Sequence, residues 1–543
     1  MAGDAAHGGP ASPWWRSAVG YEIYLRSFKD SNGDGIGDLP GVRDRLDYLS
    51  WLGIDALWLT PFFPSPMHDG GYDVADFLNV DPTYGTLADF DLLVADAHRL
   101  GIRVLVDLIP NHTSSEHPWF RESRSSRHND YRNYYVWRDP APGGGPPNNW
   151  VSVFGGPAWT LDEATGQYWL HLFLPEQPDL NWAEPRVADE FDEILRFWLG
   201  RGADGFRVDV ADALVKHPRL PDNPPATGFR RAPPAGIASD WGTLEHRYDV
   251  NQPGLLEIHR RWRKLVEPYD ALLVGEVGLA DPSTIEDFVG SQDGLDLCFW
   301  FEPMEIEWRP EAIRAALAAA SPMSSGVAWV QGSHDRPRAA TRFGGGEVGR
   351  SRSLALAVLL LGLPGLPFLY QGEELGLEEG LVPPEEAQDP ISRRAGEHHL
   401  GRDGCRTPMP WQPGRGLGFT SAEEAWLPFG GRTAADTVAV QRADPTSMLH
   451  RYRRLLRVRR ELPNLGGRGL EWVVGTDSIV AYRRGPVLVA ANCGEKPEPL
   501  ELPPGTWILA YDTSDLRSRP ASSQLVLEPD AAQILVDDTA VQV

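Results

Sequence analysis

Along this chain the spacing of apolar residues switches repeatedly between two periods. Short, largely apolar runs read as strands at Tyr21–Leu25, Ala56–Thr60, Arg103–Leu108, Gly205–Val210, Leu272–Glu276, Leu295–Phe301, Ala328–Gly332 and Leu366–Tyr370. Between them apolar residues recur at helical spacing: across Val42–Leu52; at Leu87, Phe90, Val94 and Ala97; at Phe191, Ile194, Leu195 and Trp198; and at Leu255, Ile258, Trp262 and Leu265. Eight apolar strands alternating with helices predict a parallel sheet closed into a (β/α)8 TIM barrel. A doubly wound open sheet is the competing arrangement, but no G-x-G-x-x-G opens the first crossover.

The alternation is interrupted three times. Residues 112–181, between the third strand and the third helix, are rich in Trp, Tyr, Asn, Gly and Pro and are too long for an ordinary loop. They predict an inserted subdomain on the rim at the C-terminal ends of the strands. Irregular loops at Pro218–His246 and Gly372–Phe429 follow the fourth and eighth strands and would crowd the same rim. The barrel is expected over residues 14–111 and 182–463, behind a disordered tail at 1–13. From 464 to 543, alternating runs such as Ser478–Tyr482 and Val487–Ala490 predict a C-terminal antiparallel β-sandwich domain. The arginine-rich helix around Thr446–Leu462 reads as a solvated face.

Composition narrows the function. A formal net charge of −25 argues against nucleic acid and anionic membrane surfaces as partners, and is compatible with a neutral substrate. Three cysteines, Cys298, Cys405 and Cys493, make no disulfide framework, and the N-terminus shows no basic region followed by an apolar core. Both point to a reducing, cytoplasmic setting. The most apolar stretch, Leu354–Tyr370, is broken by Pro364, Gly365 and Pro367 and reads as a buried helix running into a buried strand.

Candidate chemistry gathers at the strand ends. In Gly205–Val210, Phe206, Val208 and Val210 share one face, and Arg207 and Asp209 the other. Asp107, Asp209 and Glu276 end strands, Asn111-His112 follows the third, and His334-Asp335 follows the seventh. Carboxylates crowded on one rim raise one another's pKa, so that one stays protonated while another is ionised. That division suits glycosidic bond cleavage, which pairs a proton donor with a carboxylate nucleophile. Rim aromatics such as Tyr72, Phe154, Trp159 and Phe173 suit stacking on sugars. Near the N-terminus, Asp30-Ser31-Asn32-Gly33-Asp34-Gly35-Ile36-Gly37-Asp38 sets oxygen side chains at alternate positions, as a hard cation requires. An Asx-rich turn without an ion is the alternative.

These segments resemble the α-amylase superfamily, glycoside hydrolase family 13, in its oligo-1,6-glucosidase and α-glucosidase branch. Asp107–His112, Gly205–Asp209, Gly275-Glu276 and Ser333-His334-Asp335 are similar to the family's four conserved regions. Gln177-Pro178-Asp179-Leu180-Asn181 and Arg402–Trp411 are similar to segments typical of the branch. The resemblance implies Asp209 as nucleophile, Glu276 as general acid/base and Asp335 as transition-state stabiliser, with Arg207 holding Asp209 ionised. It implies Asp69, Tyr72, His112, His334 and Arg402 as binders of the non-reducing glucose, and Phe154 and Phe173 as lining. It implies a structural Ca²⁺, with Mg²⁺ as the other candidate, at Asp30, Asn32, Asp34, the Ile36 carbonyl and Asp38, and no organic cofactor.

Two positions depart from the family pattern: Ser333 stands where Asn is usual, and Asp212 where His or Asn is usual. Val210 is similar to the α-1,6-acting members. The resulting expectation is a retaining, exo-acting α-glucosidase on short α-linked oligosaccharides, monomeric or homodimeric. A glucosyl transferase or mutase on the same scaffold is one alternative, and an inactive binding or scaffold homologue the other.

Overall fold

A computed structural model describes residues 13–227, 241–278, 282–290, 293–320, 326–395, 401–462, 470–514, 519–520 and 524–538. Apart from Pro13, the expected N-terminal tail lies outside them, as do parts of the Pro218–His246 and Gly372–Phe429 loops. Eight parallel strands close into a barrel in sequence order. They are β1 (Gly20–Ile23), β2 (Ala56–Leu59), β3 (Arg103–Leu108), β4 (Gly205–Val208), β5 (Leu272–Gly275), β6 (Leu297–Trp300), β7 (Val327–Trp329) and β8 (Leu366–Tyr370). Nearly every strand residue is buried, which explains why these runs read as continuous apolar text rather than strict alternation.

Several strands stop one or two residues before the sequence pattern does. Thr60, Asp209, Val210 and Glu276 all lie just past strand ends, where the chain turns and frees their side chains or amides. The strands approach closely at the start of β4: a Cβ on Gly205 would lie 2.2 Å from the Leu272 carbonyl oxygen. Only glycine fits there.

The helices follow their apolar stripes. Helix α1 (Leu87–Arg99) opens with a Thr86/Asp89 capping box and buries Phe90, Leu93, Val94 and Ala97. Helix α2 (Pro185–Gly200) starts on a proline, is capped by Glu184 and buries Val187, Phe191, Ile194, Leu195 and Trp198. The stretch Val42–Leu52, expected as one helix, is two: Leu39–Arg43 and Leu46–Leu52. The break at Asp44-Arg45 leaves Val42, Leu46 and Leu49 buried on both sides of it, so the apolar pattern carries no trace of it. Leu354–Tyr370 is, as read, the end of a buried helix (Gly346–Leu361) followed by β8.

Residues 112–181 carry a helix at Pro118–Ser125 and a three-stranded antiparallel sheet, Trp137–Arg138, Gln167–Leu170 and Trp159–Asp162. The C-terminal region forms a six-stranded antiparallel sheet and a two-stranded one, Glu498–Glu501 with Gln524–Leu527. Leu500, Leu525 and Leu527 of the small sheet share a core with Ile479, Leu488 and Leu535 of the large one. Among the described residues no helix is long and apolar enough to cross a membrane, and the three cysteines are free thiols.

Candidate active site

Strand register sets the centre of the site. Asp107 on β3 pairs with Arg207 on β4, and Arg207 Nη1 donates to Asp107 Oδ1 at 2.8 Å. The same Nη1 donates to Asp209 Oδ1 at 2.6 Å, and Nη2 to Glu276 Oε2 at 2.7 Å. One guanidinium, 2 % exposed, therefore bridges three carboxylates. Its carbon lies 4.8 Å from the centre of the Trp58 ring, and Trp58 Nε1 donates to Asp107 at 3.1 Å.

The residue after Asp209 is backbone-strained. Val210 has φ 45°, a left-handed conformation that costs a β-branched residue free energy. The turn it makes lets Val210 N donate to Glu276 Oε2 at 3.1 Å and Ala211 N to the Glu276 carbonyl at 2.8 Å. Asp212 Oδ2 accepts from Gly278 N at 3.0 Å. The loop carrying Asp209 thus grips the loop carrying Glu276.

Asp209, Glu276 and Asp335 line one cavity of about 230 Å³ together with Asp69, Tyr72, His112, Phe154, Phe173 and Arg402. His334, expected among the substrate binders, and Arg207, expected to act on Asp209, are not on its wall. Arg207 and His334 are buried behind it, where they hold Asp209 and Tyr72. One end of the cavity is closed by Arg402, which donates to Asp69 at 2.7 Å, Asp335 at 3.1 Å and Asp389 at 2.9 Å, with its guanidinium 5.5 Å from the Phe154 ring centre. Gln177 donates to Asp69 at 3.1 Å and lies 3.1 Å from His112 Nε2.

Burial raises both Asp335 and Asp209, but their neighbours drive them apart. Asp335 is held well below the usual carboxylate range, because His334, Arg402 and Arg406 together outweigh burial; Arg406 Nη2 donates to it at 2.9 Å. Asp209 goes the other way. Burial drives its carboxyl well up, Arg207 pulls it down, and Glu276 and Asp107 push it up again. The pull that Arg207 is expected to exert on Asp209 is thus opposed by burial and by the Glu276 and Asp107 charges. Asp209 and Glu276 share the Arg207 guanidinium, which brings the two carboxyls side by side. Burial pushes Asp107 up to about 6, against Arg207, so it is ionised at neutral pH. His112 is lowered to about 4 by burial and is neutral.

The oxygens of the expected cation loop are largely spent within the protein. Asp30 accepts from the amides of Asn32, Gly33 and Gly35 and from the Thr420 hydroxyl. Asp38 accepts from Ser31 N and Oγ and caps the helix at Gly41 N. Asp34 accepts from Ile36 N and Asn32 Nδ2. Among the described residues no group of three or more His, Cys, Asp or Glu side chains is arranged to hold a metal. Asn32 and Asp34 are on the exposed side of the turn with capacity left, so the set fits a hard cation in part.

The sequence motifs gave no sign of four partners: Glu22 against His334, Asp389 against Arg402, and Trp58 and Tyr24 beside Arg207 and His334. Asp389 lies in a loop without strand pattern, and the other three read as barrel core.

Residues 22–466 match the family model for the alpha-amylase catalytic domain. The chain is 43% identical over 484 residues to a probable alpha-glucosidase of Rhizobium meliloti (strain 1021), covering 88% of each. It is 38% identical over 483 residues to an oligo-1,6-glucosidase of Parageobacillus thermoglucosidasius, covering 82% of this chain and 84% of that protein. The structure superposes on a crystal structure of an alpha-glucosyl transfer enzyme, XgtA, with a TM-score of 0.91 at 39% identity, over 97% of this chain and 100% of that one.

Proposed function

The chain belongs to the alpha-amylase family, in the branch of its oligo-1,6-glucosidase and alpha-glucosidase relatives, and on that premise we propose that it is a retaining, exo-acting α-glucosidase of short α-linked oligosaccharides. The observation that carries the reading is the single buried guanidinium of Arg207 touching both Asp209 and Glu276. One guanidinium that holds both carboxyls keeps them close together, as retention requires, rather than ~6.5–9.5 Å apart, as inversion needs to admit a water between them.

Glu276, as the general acid, gives a proton to the leaving oxygen. Asp209, held by Arg207, attacks the anomeric carbon and forms a β-glucosyl ester. Glu276 then takes a proton from the incoming water, which displaces Asp209 and restores the α configuration. Asp335, held ionised by its cationic neighbours, faces the positive charge that develops on the ring. Arg402 and Asp69, closing one end of the cavity, support a terminal glucose as the unit removed. The free thiols support a reducing, cytoplasmic setting, and the Asp30–Asp38 loop remains a structural cation site in this reading, with no chemical step assigned to it.

A second reading, glucosyl transfer, has its own support. Around the acceptor side, Val153, Leu172, Val210, Ala213 and Val250 present apolar wall. The polar groups there are engaged: His246 lies 2.7 Å from Asp249 and 2.9 Å from the Trp241 carbonyl, and Asp212 binds Gly278. Such a wall favours an alcohol over water. Initial rates and product analysis on maltose, isomaltose, sucrose and trehalose test both readings. Release of α-glucose supports hydrolysis and new disaccharides support transfer; inertness toward all four and toward p-nitrophenyl α-glucoside would overturn both.

A further inference from the structure

A chain of hydrogen bonds runs behind the cavity wall into a carboxylate that no sequence motif marks. Glu22, on β1 and fully buried, lies 2.5 Å from His334 Nδ1 through Oε1, and the same oxygen accepts from His334 N at 3.2 Å. On the far side of the ring, His334 Nε2 lies 2.9 Å from the Tyr72 hydroxyl and 3.4 Å from Asp335 Oδ2. The Tyr72 hydroxyl is also 3.0 Å from Asp107 Oδ2.

Counting hydrogens along this chain leaves little freedom. Every partner of Asp107 is a donor: Arg207 Nη1, Trp58 Nε1 and Tyr72 OH. An ionised Asp107 therefore claims the single hydrogen of Tyr72. The Tyr72 oxygen then faces His334 Nε2 with lone pairs only, and Nε2 must carry a hydrogen. On the other side, Glu22 Oε1 already accepts from the His334 amide, so it meets Nδ1 as an acceptor and Nδ1 carries a hydrogen too. Both ring nitrogens are donors.

We propose that His334 is an imidazolium in the resting protein and that Glu22 is the positioning residue that keeps it charged. The surroundings suit a flat cation. The ring is stacked between Tyr24 and Tyr72, at centroid distances of 5.6 and 5.5 Å and interplanar angles of 17° and 9°. The titratable and charged groups facing it are Glu22 from β1, Tyr24 beyond it, Tyr72 and, through it, Asp107, and Asp335 of its own loop. Arg406 and the Cys405 thiol touch the His334 carbonyl, at 2.8 and 3.2 Å, and not the ring nitrogens. Glu22 touches no cavity residue and acts through the ring. Its second oxygen, Oε2, has no hydrogen-bond partner among the described residues, so its charge is directed at His334. The charged ring in turn presents a fixed N–H between Tyr72 and Asp335.

The catalytic consequence rests on the α-glucosidase reading, but the ring's charge is read without substrate. Glu22→Gln is the test. An amide must still turn its oxygen to the His334 N–H, so Nδ1 keeps its hydrogen, but the negative charge that retains the second one is gone, and Tyr72 can turn its own hydrogen from Asp107 to Nε2. In protein labelled with ¹⁵N-histidine, with His334 assigned by its loss in His334→Asn, both ring nitrogens should resonate as protonated at pH 7.5. In Glu22→Gln, Nε2 should move to the unprotonated range at the same pH. kcat/KM should fall roughly 10–100-fold, with the pH profile shifted toward acid and the far-UV spectrum unchanged. An unprotonated ring nitrogen in the wild type at pH 7.5, or a doubly protonated ring in Glu22→Gln, would overturn the proposal. Loss of all glucosidase activity in the wild type would overturn the function while leaving the ring's charge standing.

Discussion

Arg207 Nη1 and Asp209 Oδ1 lie 2.6 Å apart, from residues two positions apart in sequence that share one face of the chain. The pairing follows from strand geometry alone, since side chains two residues apart project together. Its importance follows from what else the guanidinium touches, Asp107 on one side and Glu276 on the other.

Lysine cannot replace this arginine. An ammonium has no planar fork with which to hold Glu276 on Nη2 while Nη1 bridges the two aspartates. Arg207→Lys is expected to lower kcat/KM on p-nitrophenyl α-glucoside by roughly 100–1,000-fold. It should also lower stability by about 3–5 kcal/mol, because a buried ionic cluster is broken. Denaturant titration and steady-state kinetics measure the two effects; a variant with near wild-type turnover would remove Arg207 from the mechanism.

The two acids should separate kinetically. Asp209→Asn should cost at least about 10⁴-fold in kcat on every substrate. Glu276→Gln should cost far less on p-nitrophenyl α-glucoside, whose leaving group needs no proton, than on maltose. Azide should restore Glu276→Gln turnover and yield α-glucosyl azide, since the intermediate is then attacked without a base. A β-glucosyl azide product would contradict the retaining assignment.

Glu373, which does not line the cavity, gives a pH dependence of stability with a definite sign. Burial pushes its carboxyl up from 4.5 to about 7, against hydrogen bonds from Gln331 and Tyr452. The folded protein therefore holds a proton that the unfolded chain releases. The stabilisation is complete below about pH 4.5 and is lost as pH rises through about 7, amounting to about 3 kcal/mol. Glu373→Gln keeps the neutral shape at every pH. Its unfolding free energy should match the wild type near pH 4.5 and exceed it by about 3 kcal/mol at pH 8.5; a gap that does not widen with pH would show that Glu373 is not buried as a neutral acid.

The Asp30–Asp38 loop is tested by chelation. If a hard cation binds at the exposed oxygens of Asn32 and Asp34, 1 mM Ca²⁺ should raise Tm over the EDTA-treated protein, and Asp34→Asn should abolish the difference. Identical melting curves would leave an Asx turn closed by its own hydrogen bonds.

The barrel was legible because its strands are buried on both faces and its helices on one, and each leaves a distinct period. The three acids were legible because they sit at strand ends, where apolar text stops. The supports behind them were not. Glu22 and His334 are 312 residues apart in sequence, and an acid inside an otherwise apolar strand reads as an isolated interruption. The hydrogen bond from Val210 N to Glu276 depends on the left-handed turn at Val210, a backbone choice that a valine gives no reason to expect. Whether Arg207 or burial dominates at Asp209 is a balance of opposing terms, open only once depth and neighbours are fixed.

Arg402 and Asp69 are locked to each other at 2.7 Å. Where that pair walls off the far side of a terminal glucose, as exo action requires, the aglycone must depart before the glucose behind it can, and spent glucose must vacate the same passage that the next substrate needs. Turnover in such a vessel slows as its own product accumulates outside, so free glucose should act as a competitive brake without any separate regulatory site.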